Sequence, residues 1–343
     1  MTDIKTLSKE ELSNFLISKG EQKFRASQIY EWLWKKAARS FDEMSNLSKS
    51  TRMVLAEHFS FNVPVVDTIM KSNDGTIKVA FRLSDNRLIE GVIIPSTERT
   101  TACISSQAGC ALQCSFCATG TLGYLRNLTV GEIFDQVAIL NQMSVEHFGY
   151  GLSNIVMMGM GEPLHNYDNV MQALHLITSP EGMGMSPQRI TLSTAGLAPQ
   201  IKQLADDGFK CNLAISLHSA DDEIRTRIMP VNKAHPLPVL RDAISYFSKK
   251  TGSRVTMEYL LLHNINDSVD DAQKLAIFCR AFLSKINIIE YNQTDNSPFR
   301  SSTPDRLKKF VALLESKNMI VNVRASKGKD IDAACGQLVN KRK

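Results

Sequence analysis

Four of the seven cysteines in this 343-residue chain fall between positions 103 and 117. The last three, Cys110, Cys114 and Cys117, form a C-x3-C-x2-C pattern, and Cys103 stands seven residues upstream. Thiolates ligate metals and attack electrophiles, so such density implies chemistry. A structural zinc site takes four protein ligands, often as paired C-x2-C units. No fourth ligand follows here at zinc spacing. A [4Fe–4S] cluster also usually takes four cysteines. Three would leave one iron without a protein ligand, free to hold a small chelating molecule. Buried structural cysteines and a catalytic dithiol are the remaining readings. The clustering favours a metal or cluster role over both.

The rest of the composition fits a reducing compartment. The N-terminus "MTDIKTLSKEELSNF" is polar, with no apolar signal-peptide core. No run of about 18 apolar residues reads as a membrane span. The expected location is the cytoplasm, where thiols stay reduced. A net charge of +5 permits an acidic partner without demanding one.

Elements must gather these residues. From about residue 99 onward, short apolar segments alternate with helical stretches. Strands are expected at 101–106, 154–160, 189–195, 212–218, 254–262 and 286–291, with a further one in "IVNVRAS". That cadence predicts parallel βα units. Six such units make an incomplete (β/α)6 barrel of the TIM type. Its site should lie beyond the C-terminal strand ends. The polar candidates collect there. The cysteines follow the first strand and Gly161–Glu162 the second; Ser193 ends the third. Ser216, Leu217 and His218 close the fourth, and Asn292 the sixth. Thr129 and Glu132 form a capping box that opens the helix after the cysteines, and Ile133, Val137 and Leu140 give that helix its apolar face. Ahead of the barrel, alternating runs flanking "SDNR" predict a β-hairpin near 76–95. The first sixty residues read as a small helical unit. In it, Ile29, Trp32, Leu33 and Lys36 share a face, with Trp34 on another. Between Lys19 and Arg39 there are six Lys/Arg against two Glu. The segment is either a helical cap with a solvated face or a basic, aromatic-bearing module that docks on a nucleic acid backbone. The expected boundaries are 1–62 for the helical accessory domain, 63–98 for the hairpin extension, 99–295 for the barrel and 296–343 for a C-terminal helix, strand and cysteine segment.

The cysteine spacing after a first barrel strand, with Phe116 before the last cysteine, resembles the radical S-adenosylmethionine (SAM) superfamily. "CISSQAGCALQCSFCATG", "MGMGEPLHN", "RITLSTAGL", "ISLHSADDEIRTRIMP" and "GKDIDAACGQL" occur in order. Together they resemble the RlmN-type 23S rRNA and tRNA adenine-C2 methyltransferases over nearly the whole chain. The resemblance implies a [4Fe–4S] cluster on Cys110, Cys114 and Cys117, with SAM chelated at the open iron. It implies SAM contacts at Gly161, Glu162, Ser193, Ser216, Leu217, His218 and Asn292. The implied targets are adenosine 2503 of 23S rRNA and adenosine 37 of tRNA. Flavodoxin or ferredoxin is the implied kind of electron donor.

Adenine C2 is electron-poor and carries no acidic proton, so ordinary methyl transfer lacks a nucleophile. In the family's scheme, Cys335 first accepts a methyl group. A radical derived from a second SAM then takes a hydrogen atom from that group. The carbon radical adds to C2, and Cys103 releases the tethered base through a transient disulfide with Cys335. Glu90 aligns with the scheme's proton acceptor. Cys211 and Cys279 match no motif and read as core. Basic residues for RNA are Lys23, Arg25, Lys35, Lys36 and Arg39 at one end, and Arg324, Lys327, Lys329 and the terminal "KRK" at the other. Three rivals remain: a Cfr-type adenine-C8 enzyme, which commonly has Ala where this chain has Pro163, another radical SAM enzyme such as a peptide or small-molecule modifier, and a zinc-stabilised RNA-binding protein.

Overall fold

The computed structural model describes residues 1–294 and 297–338; the terminal "KRK" lies outside the described residues. The chain opens with three helices, α1 (Lys9–Ser18), α2 (Arg25–Trp34) and α3 (Lys49–His58). Ser8 and Glu11 cap α1 reciprocally, which satisfies two otherwise orphaned N–H groups. The α2 helix buries two faces, because it lies between α1 and the first barrel helix. Trp34 is therefore buried too, edge-on to Phe134 with ring centroids 5.1 Å apart. Trp32, which shares a face with Ile29 and Leu33, is only partly covered, with the Lys36 ammonium 3.9 Å from its ring centroid.

Ten of the strands that follow form one sheet and lie in it in the order of the chain; the short strands Gln107–Gly109 and Tyr124–Asn127 pair separately. The ten are β1 (Val65–Lys71), β2 (Ile77–Arg82), β3 (Leu88–Ser96), β4 (Arg99–Cys103), β5 (Asn154–Met157), β6 (Ile190–Thr194), β7 (Asn212–Ser216), β8 (Val255–Leu261), β9 (Ser284–Glu290) and β10 (Val321–Arg324). From β4 to β10 every neighbouring pair is parallel. Helices connect them on the outside: α4 (Val130–Phe148), α5 (Tyr167–Thr178), α6 (Ala198–Asp206), α7 (Asp222–Ile228), α8 (Leu237–Thr251), α9 (Val269–Cys279) and α10 (Pro304–Ser316). This is the expected α/β barrel, left unclosed, with a seventh parallel strand. The predicted hairpin is β2–β3, and it joins the barrel sheet antiparallel through β3–β4. The edge strand β1 has no counterpart among the expected elements. Its residues are largely exposed, so it shows no alternation of apolar and polar positions.

Thr129 and Glu132 do form the capping box of α4, and Ile133, Val137 and Leu140 are buried on its inner side. The helical module is fixed to the same helix by a buried ion pair between Lys5 and Asp135. Cys211 and Cys279 are core residues, both with thiols pushed up to about 12 by burial. No helix among the described residues is long and apolar enough to cross a membrane.

The two ends of the sheet are bridged by residues 328–338. At one end Asp74 accepts from Gly328 N (2.9 Å) and Asp330 accepts from Ser72 Oγ (2.5 Å). At the other, Lys329 pairs with Glu290 of β9 at 2.6 Å. The segment thus crosses the open side of the barrel.

Candidate active site

A cavity at the C-terminal ends of the parallel strands receives Cys110, Cys114 and Cys117 from the loop after β4. Backbone hydrogen bonds shape that loop. Cys110 N donates to Gly123 O at 2.9 Å, and Cys117 N to Cys114 O at 3.1 Å. Gly109, at φ +76°, is packed so closely that a Cβ would meet Gly123 O at 1.9 Å. Burial pushes the Cys110 thiol up to about 11 and holds the Cys114 thiol well above its ordinary value, and the nearby Cys117 adds to the rise at both. The three thiols face one cavity without converging tightly. Among the described residues no group of three His, Cys, Asp or Glu side chains is gathered to hold a metal ion. The donor set is three soft thiols, spread over a cavity wall rather than set on one point. That suits a polynuclear iron–sulfur group better than a single zinc ion, whose four ligands close in tetrahedrally.

The same cavity is lined by Gly161, Glu162, Ser193, Ser216 and His218. Gly161 has φ +98°, and a Cβ there would stand 2.5 Å from Gln107 Cβ, so glycine is required. Gln107 Oε1 in turn accepts from Glu162 N at 2.8 Å. The Glu162 carboxylate is fully enclosed. Burial raises it to about 7, against hydrogen bonds from Ala195 N (2.7 Å) and Leu164 N (2.9 Å). Ser193 and Ser216 hydroxyls face each other at 3.5 Å. His218 takes a left-handed backbone, φ 57°. Its Nδ1 accepts from Leu260 N at 3.1 Å, which puts the ring proton on Nε2. Burial lowers it to about 3, so the imidazole is neutral, and Phe116 packs edge-on against it.

Leu217, Asn292 and Glu90 do not line this cavity. Leu217 is buried, and its N–H donates to Glu258 O. Asn292 is buried just beyond β9 with neither amide atom hydrogen-bonded among the described residues. Such an orphaned pair is unusual in a folded interior and calls for a partner. Glu90 is buried on β3 with its carboxylate 3.6 Å from Lys78 Nζ, and Lys78 also reaches Asp332 O at 3.3 Å.

Cys335 belongs to the bridging segment and lines both this cavity and a smaller adjoining one. Cys103, at the end of β4, lines the smaller one. The bridging segment is stitched to the cysteine loop: Ala118 N donates to Gly336 O at 2.7 Å, and Thr119 Oγ1 to Leu338 O at 2.6 Å. Cys335 is exposed to the cavity, yet the protein around it still pushes its thiol up. Burial drives Cys103 to about 12, and the neighbouring Cys335 adds to the rise.

Three polar residues of the site went unnoticed in the sequence. Gln107 supports Glu162. Glu258 interrupts the buried strand β8; its Oε1 accepts from Asn287 at 2.8 Å, and its Oε2 is unpaired among the described residues. Arg225 is wholly buried on α7. A carboxylate inside the apolar run "VTMEYLLL" was the signal available for Glu258.

Of the basic residues, Lys35, Lys36 and Arg39 line a groove with Arg189, between the helical module and α4. Arg324 instead faces Glu258 at 3.8 Å.

Comparison with known proteins agrees with this architecture. Residues 2–61 match the "Ribosomal RNA large subunit methyltransferase N-terminal domain" family, and residues 104–276 match the "Radical SAM superfamily". A Flavobacterium psychrophilum protein named "Probable dual-specificity RNA methyltransferase RlmN" is 51% identical over 339 residues, covering 99% of this chain and 98% of that one. The Nitratidesulfovibrio vulgaris "Dual-specificity RNA methyltransferase RlmN" is 45% identical over 350 residues, covering 98% and 95%. A crystal structure of a radical SAM methyltransferase from Sphaerobacter thermophilus superposes with a TM-score of 0.93 at 40% identity, covering 98% of this chain and 99% of that one. The chain belongs to the radical SAM superfamily and, within it, to the RlmN family of RNA methyltransferases.

Proposed function

We propose that this protein methylates C2 of adenosine in 23S rRNA, at adenosine 2503, and in tRNA, at adenosine 37, in the cytoplasm. One observation carries the reading: Cys335 lines both the three-thiol cavity and the smaller cavity that holds Cys103. Cys110, Cys114 and Cys117 would hold a [4Fe–4S] cluster, and the cavity beside them would hold SAM. When bound, that pair supplies one-electron cleavage of SAM to a carbon radical, with the electron coming from a flavodoxin- or ferredoxin-type donor.

The chain's own residues have separable tasks. Glu162 would accept from the SAM ammonium group, and Gly161 would allow the close backbone approach. Ser193, Ser216 and His218, which line the cavity, would hold the rest of the molecule, with Leu217 and Asn292, which do not line it, as the remaining candidate contacts. The neutral His218 presents a donor at Nε2, and both amide atoms of Asn292 are without a hydrogen bond among the described residues. Cys335 carries the methyl group as a thioether. Cys103 is the second thiol, attacking Cys335 sulfur so that the base leaves and a disulfide remains. Glu90 takes the C2 proton, with the Lys78 ammonium 3.6 Å from its carboxylate. Burial in the cavity keeps water from the reacting centre. The RNA approaches through basic surface residues, and its target base must leave the stack to enter.

The test is anaerobic reconstitution with iron, sulfide, SAM, a reductant and RNA lacking the modification, followed by nucleoside mass analysis. Formation of 2-methyladenosine is expected. Formation of 8-methyladenosine assigns the C8 chemistry instead, and a colourless protein with stoichiometric zinc overturns both.

A further inference from the structure

Arg225 is fully buried, and among the described residues no carboxylate pairs with it. Its donors are spent on neutral acceptors. Nε donates to Leu217 O (3.1 Å), Nη1 to Asn232 Oδ1 (2.6 Å), and Nη2 to Ala195 O (2.6 Å) and Ser216 O (3.4 Å). Asp222, also within electrostatic reach, is exposed and accepts from Asn232 Nδ2 and Leu237 N instead. An unpaired buried cation is costly and calls for a compensating negative charge. Cys114 is also within electrostatic reach of it, as are His218 and His235, and of these only the thiol can supply a negative charge.

The connection to the cysteine loop is also direct. Met229 N donates to Arg225 O at 2.7 Å. Ser115, next to Cys114, donates to Ile228 O from both N (3.0 Å) and Oγ (3.2 Å). Through Ala195, whose N–H goes to Glu162 and whose carbonyl goes to Arg225, the guanidinium also underlies the opposite wall. Arg225 does not itself line the cavity, so it stands behind the site rather than in contact with a ligand.

We propose that Arg225 is the built-in counter-charge of the three-thiolate site, a positioning residue whose buried charge stabilises the one-electron-reduced form of the group held by Cys110, Cys114 and Cys117. The inference rests on the proposed reading that these thiols hold a [4Fe–4S] cluster. Three thiolates make the loaded site anionic, and reduction adds another negative charge. Net charge, hydrogen bonding and burial set such potentials. A fixed cation in the low-dielectric interior therefore raises the potential.

The test is an anaerobic redox titration of the reconstituted holoenzyme without SAM, followed by the low-temperature electron paramagnetic resonance signal. Dithionite supplies one electron per cluster, with no proton transferred and no bond broken. In Arg225→Gln the reduced-to-oxidised ratio at the wild-type midpoint should fall at least about tenfold, equivalent to about 59 mV for one electron. Arg225→Lys keeps the charge and should stay within about threefold of wild type. An unchanged midpoint in a loaded Arg225→Gln, or an equal shift in Arg225→Lys, overturns the proposal. If Arg225→Gln does not fold, Asn232→Asp leaves the arginine in place and sets a carboxylate against Nη1. It should move the midpoint in the same direction, and no movement overturns the proposal. A wild-type protein with no cluster signal defeats the thiolate reading itself and this inference with it; an unmoved midpoint in a loaded variant defeats this inference alone.

Discussion

Cys335 and Cys103 differ in access although both are thiols of one small cavity. Cys335 meets open space, whereas Cys103 is buried and its thiol is pushed up to about 12. Replacing Cys335 by Ala should leave iron content and the visible spectrum intact while base methylation is lost; full methylation by this variant would refute its role. Replacing Cys103 by Ala should leave RNA attached to the protein, seen as a slow band on a denaturing gel. A variant that releases methylated RNA at the wild-type rate would remove Cys103 from the scheme. A third cysteine tests burial alone. Burial disfavours the Cys279 thiolate and pushes the folded thiol up to about 12 from an ordinary value of 9.0. Between those values the unfolded chain has lost this proton and the folded one retains it. Stability should therefore fall as pH rises from about 9 to 12, by up to about 1.4 kcal/mol per pH unit from this group. In urea titrations of Cys279→Ala that slope should be shallower by the same amount. An identical slope would show that this thiol is not shifted.

At the scale of elements, Gly161 joins the end of β5 to Glu162 in a backbone state open to glycine. Gly161→Ala should lower stability by roughly 1–3 kcal/mol and displace Glu162, since the new Cβ has Gln107 Cβ at 2.5 Å. Thermal unfolding and SAM affinity measure the two effects; an unaffected SAM affinity would separate Glu162 from the cofactor. Much of this layer was legible in the sequence. Parallel strands buried on both faces read as short apolar runs, and Thr129 with Glu132 announced α4. What stayed hidden depends on distant partners. The edge strand β1 has few buried side chains, so no pattern marks it. Trp34 is inside because α4 covers a second face of α2, which no local periodicity records. Arg225 and Glu258 belong to no recognised spacing, and their burial is set by strands and helices distant in the chain.

For the whole molecule, the decisive arrangement is long-range. Residues 328–338 tie the β1–β2 turn to β9 and place Cys335 beside a loop more than two hundred residues earlier in sequence. The helical module sets Lys35, Lys36 and Arg39 with Arg189 along one groove. If RNA phosphates lie there, the triple substitution of Lys35, Lys36 and Arg39 by Ala weakens RNA binding. It also reduces the slope of log affinity against log salt by about 0.7–0.9 for each phosphate no longer neutralised. An unaltered slope would move the RNA path elsewhere. The central claim, that the methyl carbon passes through Cys335 and loses a hydrogen atom on the way, is tested most directly by isotope. SAM with a trideuterated methyl group should give 2-methyladenosine whose methyl carries two deuterium atoms. A product that keeps all three would mean direct transfer to the base and would contradict the account.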